Sequence, residues 1–195
     1  MKKVLLLLVK GFETYEASVF IDVIGWNLID GDHSTKLYSC GVTKEVVSSF
    51  DQKVLVDYLI KDIKVDEFDA LAIPGGFEEY GFWEEAYEDE IQNLIKAFDR
   101  QGKVIAAVCV AAIALGKTGI LKNKNATTYN LNPIRQATLR SFGVNVQNQP
   151  VVQDGNIITC WNPSTAIEVA YLLLELLTSR QNANNIRRIM GFEEK

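Results

Sequence analysis

Apolar runs of strand length alternate with stretches of helical periodicity over most of the chain, the pattern of crossover units wound around a mainly parallel sheet. Residues 4–9 are a continuous apolar run of the kind a strand covered on both faces needs, and residues 15–29 then carry apolar side chains at helical spacing. Residues 36–40 read as a second strand, and the short alternating stretches between Glu45 and Leu59 predict a small antiparallel excursion. A buried strand over 68–73 ends abruptly at Pro74-Gly75-Gly76. An acidic amphipathic helix follows from about Glu84 to Arg100 and stops at Gly102. The next buried strand is 103–108, with Cys109 at its exit, and 111–115 reads as a tightly packed helix with Gly116 as its stop.

In the last third, residues 134–142 are helical and closed by Gly143, and 144–160 hold strands that turn at Asp154-Gly155. Asn162-Pro163 pairs a capping side chain with a first-turn proline, and opens an apolar helix through Leu177. Residues 183–190 form a short surface helix. With no repeat, low-complexity tract or linker, residues 1–195 read as one domain.

Composition narrows the possible functions. A 48% hydrophobic share over 195 residues supplies a real core, while 23% charged residues and a net charge of −5 give an acidic surface with no basic block to neutralise phosphates. Nucleic acid is therefore not an expected partner. The start Met1-Lys2-Lys3 with its apolar run imitates a signal peptide, but the run is short and meets Lys10-Gly11-Phe12-Glu13 without a small-residue cleavage site. No stretch approaches the roughly 20 apolar residues of a membrane helix, so the expected location is cytoplasmic, with no membrane partner. Three cysteines, Cys40, Cys109 and Cys160, fit free thiols in a reducing compartment, and each by spacing alone reads as a small buried hydrophobe.

In open α/β sheets, functional groups collect at the carboxyl ends of the parallel strands. Three exits present Lys10 through Glu16, Pro74-Gly75-Gly76, and Cys109-Val110-Ala111-Ala112. These segments, with Ala106-Ala107-Val108 before Cys109, Ala126-Thr127-Thr128, Ile158-Thr159-Cys160 and Asn162-Pro163-Ser164-Thr165, resemble the ThiJ/PfpI superfamily, also called the DJ-one family, nearly end to end. The resemblance implies the class I glutamine amidotransferase-like fold: an α/β, flavodoxin-like three-layer sandwich, a mainly parallel sheet with helices on both faces.

It further implies a strained strand-to-helix elbow carrying Cys109, with the carboxyl of Glu16 hydrogen-bonded to its sulfur. A thiolate is the nucleophile, and a helix start plus a donor aimed at sulfur lowers its pKa. Glu16 must then be partly protonated to donate, which requires a carboxyl kept from bulk water. The N–H groups of Gly75, Gly76 and Val110 are candidate oxyanion donors. The family also implies a homodimer, and no cofactor or metal is expected.

Two departures bear on activity. Family members with hydrolase or glyoxalase-type chemistry carry histidine just after the Thr-Thr pair, whereas this chain has Tyr129, a candidate substrate hydrogen-bond donor but a poorer proton shuttle than imidazole. The only histidine, His33, lies in a polar stretch that reads as a surface loop, which disfavours a papain-type dyad. After the cysteine, Val110-Ala111-Ala112 replaces the glycine and proline common in the family, leaving less room and favouring a small ligand or oxidant over a peptide.

Several other features have plainer explanations. Residues 111–118 match a relaxed phosphate-loop pattern in letters, yet their sequence favours helix and offers no glycine-rich nest. The acidic set from Glu78 to Glu90 reads as a solvated helix face, not a metal site. The aromatics Phe77, Tyr80, Phe82 and Trp83 wall a pocket or fill a dimer contact. The leading functional reading is a stress-related protein in which Cys109, supported by Glu16, meets a small reactive carbonyl or other electrophile, as a hydrolase or glyoxalase/deglycase-like lyase lacking the usual histidine. Alternatives are a non-enzymatic redox sensor or chaperone-like homodimer, and an intracellular cysteine peptidase or amidotransferase-like hydrolase.

Overall fold

A computed structural model describes residues 1–192. The chain runs β1 (Lys2–Leu7), α1 (Thr14–Asp30), β2 (Thr35–Gly41), β3 (Glu45–Val47), β4 (Lys53–Leu55), β5 (Tyr58–Leu59), β6 (Ala70–Ile73), α2 (Phe82–Ala86), α3 (Asp89–Arg100) and β7 (Val104–Ala107). It continues through α4 (Ala111–Thr118), β8 (Asn125–Ala126), α5 (Pro133–Ser141), β9 (Asn145–Val146), β10 (Val151–Asp154), β11 (Ile157–Cys160), α6 (Pro163–Leu177) and α7 (Arg180–Ile189).

Seven strands form the central sheet in the order β10-β11-β7-β6-β1-β2-β5, parallel except for the β10–β11 hairpin. Its central strands have no polar face: Val4 to Leu7, all of β6, and Ile105 to Ala107 are buried, as expected where helices cover both sides. Helix α1 packs on α6 and α6 on α7, while α3 packs on α4 and α4 on α5. From β1 the chain first adds β2 on one side and then crosses back to place β6 and β7 on the other. The switch point lies between β1 and β6, so the loops leaving those two strands face each other across a crevice. Among the described residues, no helix is long and apolar enough to cross a membrane.

Four expectations are corrected in detail. The acidic helix is two helices, broken at Tyr87 and Glu88, where Glu88 turns to an extended conformation at the position before α3. The buried amide of Gln92 donates to the carbonyl of Ala86 at 2.9 Å, which makes the break tolerable. Gly116 does not stop α4; it sits inside the helix, where a Cβ would meet Phe142 at 2.8 Å and Leu139 at 3.0 Å, and Gly119 (φ 88°) ends it. The excursion after Glu45 is only partly antiparallel: β3 and β4 make the hairpin, but β5 joins the main sheet parallel to β2. The last helix begins at Arg180, three residues earlier than its apolar pattern indicates, because Ser179 caps it through Asn182 N–H.

The start of α6 follows its sequence signal. Asn162 Oδ1 accepts from Ser164 N–H at 3.1 Å, Thr165 reciprocates to the Asn162 N–H, and Asn162 Nδ2 donates to Asn130 at 2.9 Å, tying α6 to the loop before α5. Replacing Asn162 with alanine should lower unfolding stability by about 1–2 kcal/mol, read as the urea midpoint at unchanged slope.

Candidate functional site

The exits of β1, β6 and β7 meet at the crevice. After β7 the chain passes Val108 and reverses through Cys109, whose φ of 56° puts a residue with a Cβ in the left-handed region. Such a conformation costs roughly 1–3 kcal/mol and needs surrounding bonds to hold it. Those bonds are present: Val108 N–H donates to Ile73 O at 3.0 Å, Ala111 N–H to Val108 O at 3.0 Å, and buried Thr128 Oγ1 to Cys109 O at 2.9 Å. Thr128 thus supports the elbow from the outside, and Ala111 opens α4 immediately beyond it.

Glu16 stands in the first turn of α1 and is fully buried. Its Oε2 accepts the Gly75 N–H at 2.7 Å, while Oε1 has no hydrogen-bond partner among the described residues. Burial drives its pKa from the ordinary carboxyl range to about 8; the charge of Glu13 adds to the rise, and the Gly75 N–H and the neighbouring Cys109 thiol only partly offset it. At neutral pH the side chain is therefore a carboxylic acid, able to donate toward sulfur. Gly75 is required here because a Cβ would lie 2.8 Å from that carboxyl and 3.1 Å from Val108 O.

The thiol itself is subject to opposing effects. Burial pushes the Cys109 pKa well above its ordinary value, the negative charge of Glu16 pushes in the same direction, and the Val110 N–H pulls it down. The Glu16 contribution vanishes while that group is protonated, so the two titrate as a coupled pair. Cys160 is raised to about 11 and Cys40 is raised as well, both by burial. Cys109 differs from them in opening onto a pocket of about 260 Å³.

Gly76, Val110 and Tyr129 line the same pocket as Cys109, whereas Gly75 and Glu16 are not part of its lining and are bonded to each other. His33 is exposed, its ring bonded to the carbonyl of Leu28. The aromatic set divides: Phe77 lines the pocket, Tyr80 packs on Phe50, Phe82 is core, and the Arg135 guanidinium sits 5.1 Å from the Trp83 ring. Of the pocket residues not anticipated there, Glu78 and Glu79 read in the sequence as a solvated helix face and Pro163 as a helix start. Glu13 enters from the β1 exit, while Asn132 and Arg135 enter from the start of α5, where Arg135 also pairs with Glu78 at 2.8 Å. The signal for the latter two was present, since Asn132-Pro133 repeats the cap-and-proline pattern of Asn162-Pro163.

Residues 2–176 match the DJ-1/PfpI family. This chain belongs to that family. Protein DJ-1 homolog A of Arabidopsis thaliana is 30% identical over 97% of this chain but 46% of its own length, so the chain spans about half of that plant relative. Protein dj-1beta of Drosophila melanogaster is 28% identical, covering 96% of this chain and 95% of that protein. The crystal structure of Drosophila DJ-1beta superposes with a TM-score of 0.86 at 26% identity, covering 99% of each chain. Toxoplasma gondii DJ-1 in an oxidized form gives a TM-score of 0.82 at 25% identity over 100% of both chains. The DJ-1/PfpI frame makes the fold of this chain a flavodoxin-like one, with Tyr129 at the pocket wall after the Thr-Thr pair.

The raised carboxyl carries a stability signature. Between the ordinary value of 4.5 and about 8 the native state holds a proton on Glu16 that the unfolded chain has released, so stability is complete below pH 4.5 and is lost as pH rises through about 8. Glu16→Gln removes this dependence. Urea titrations at a series of pH values should show the difference between wild type and variant shifting in the variant's favour by up to about 5 kcal/mol across the window.

Proposed function

We propose that Cys109, assisted by Glu16, is the reactive centre of a stress-related protein that captures small electrophiles, reactive carbonyl compounds foremost. The observation that carries the reading is a strained, pocket-facing thiol beside a buried carboxylic acid with one uncommitted oxygen. In the assisted step the acid form of Glu16 donates to sulfur as the thiol ionises, compensating for the lost solvation. With Gly75 held by Glu16, the N–H groups of Gly76 and Val110 and the hydroxyl of Tyr129 are the donors left for a substrate oxygen. A pocket of about 260 Å³ suits a small compound better than a peptide.

A second reading is redox sensing, in which peroxide takes Cys109 to the sulfinate, the acid of Glu16 now donating to the new oxygens. The oxidized form of the Toxoplasma gondii relative favours it. The homodimer expected from the family finds support in the outer face of α1, where Ile21, Trp26 and Ile29 are exposed around Gly25.

Glyoxal consumption tests the first reading. Wild-type protein should consume it and Cys109→Ser should not; consumption retained in the serine variant refutes the nucleophilic role. Mass spectrometry after mild peroxide tests the second, which requires oxygen added to Cys109 in preference to Cys40. Alkylation by iodoacetamide tests the coupling: Glu16→Gln should react at a similar rate below pH 8 and roughly tenfold faster above it, where the wild-type carboxyl ionises and repels the thiolate.

A further inference from the structure

Adding a thiol to a carbonyl moves one proton from sulfur to oxygen, and the group that moves it must reach both atoms. His33 is exposed and bonded elsewhere. Glu16 is fully buried, with one oxygen held by Gly75. Glu78 is exposed and paired with Arg135, and Glu79 is exposed too.

Glu13 is different in each respect. It is half-buried and lines the pocket that Cys109 opens onto. Its backbone is fixed on both sides, the N–H donating to Gly75 O at 2.8 Å and the carbonyl accepting from Ala17 N–H at 3.1 Å. It occupies the capping position of α1, yet its side chain makes no capping bond, so the helix does not account for the residue. Three positions before Glu16, it shares that residue's side of the helix.

We propose that Glu13 is the acid–base residue of this site, carrying the Cys109 proton to the carbonyl oxygen of the substrate. The C–S bond forms as the C=O π bond opens, the carboxylate of Glu13 takes the proton from sulfur, and the same proton passes to the oxygen. The product is a hemithioacetal and Glu13 returns to its starting state. This rests on the small-carbonyl reading of Cys109 above. Partial burial raises the Glu13 pKa from its ordinary value, which brings it closer to the range where a carboxyl both accepts and returns a proton.

The test compares two reactions at Cys109: addition of glyoxal, followed as protection of the thiol from alkylation, and alkylation by iodoacetamide, whose product takes no proton back. Glu13→Gln should slow glyoxal addition by roughly 10²-fold and slow alkylation, which uses only the first of the two proton transfers, by clearly less, and Glu13→Asp should recover part of the loss. Unchanged glyoxal addition in Glu13→Gln overturns the role of Glu13 and leaves the carbonyl reading standing. Equal slowing of both reactions also overturns it, since Glu13 would then act on the thiol alone. Failure of the wild-type thiol to add glyoxal removes both readings.

Discussion

A carboxyl group sealed into the protein, with no cation among the described residues to pair it, is the constraint from which the rest of the site follows. Glu16 has a single backbone N–H on one oxygen and nothing but the neighbourhood of a thiol for the other. Left ionised, it would be a costly buried charge; protonated, it becomes a donor with a defined target. The same burial that keeps its proton in place also resists ionisation of Cys109, so the two groups are one acid–base unit and neither can be assigned a reactivity alone.

The sheet makes this unit possible. Reversal of strand order between β1 and β6 brings the first turn of α1 beside the Gly75-Gly76 turn, and β7 next to β6 delivers Cys109 to the same crevice. Glycine at position 75 lets the carboxyl approach the backbone, while Thr128 and the Ile73 carbonyl hold the elbow in a conformation that L-residues avoid. Strain, burial and close backbone approach are thus concentrated within a few residues, at the exits of strands whose central positions are apolar and buried.

Much of this was legible in the sequence, for identifiable reasons. Continuous apolar runs at residues 4–9 and 68–73 could only be strands covered on both faces, and Asn162-Pro163 announced a helix through local chemistry that tertiary structure had no reason to override. Cys109 and Glu16 were found through a family resemblance, since composition gives a buried cysteine no chemistry. Features that depend on packing were not readable. Gly116 has the letters of a helix stop, and only the proximity of Phe142 and Leu139 explains it as a contact residue. The break at Tyr87 and Glu88 depends on the Gln92 side chain reaching back to Ala86. Glu13 carries no motif, and its presence at the pocket is a product of where α1 begins.

Infrared difference spectroscopy of wild type against Glu16→Gln tests the central claim most directly, because it reports the proton on Glu16 itself. A carboxylic acid C=O band belonging to Glu16 should be present at neutral pH and should give way to carboxylate bands as pH passes about 8. Carboxylate bands alone at neutral pH would contradict the account, since Glu16 would then have no proton to donate to the sulfur beside it.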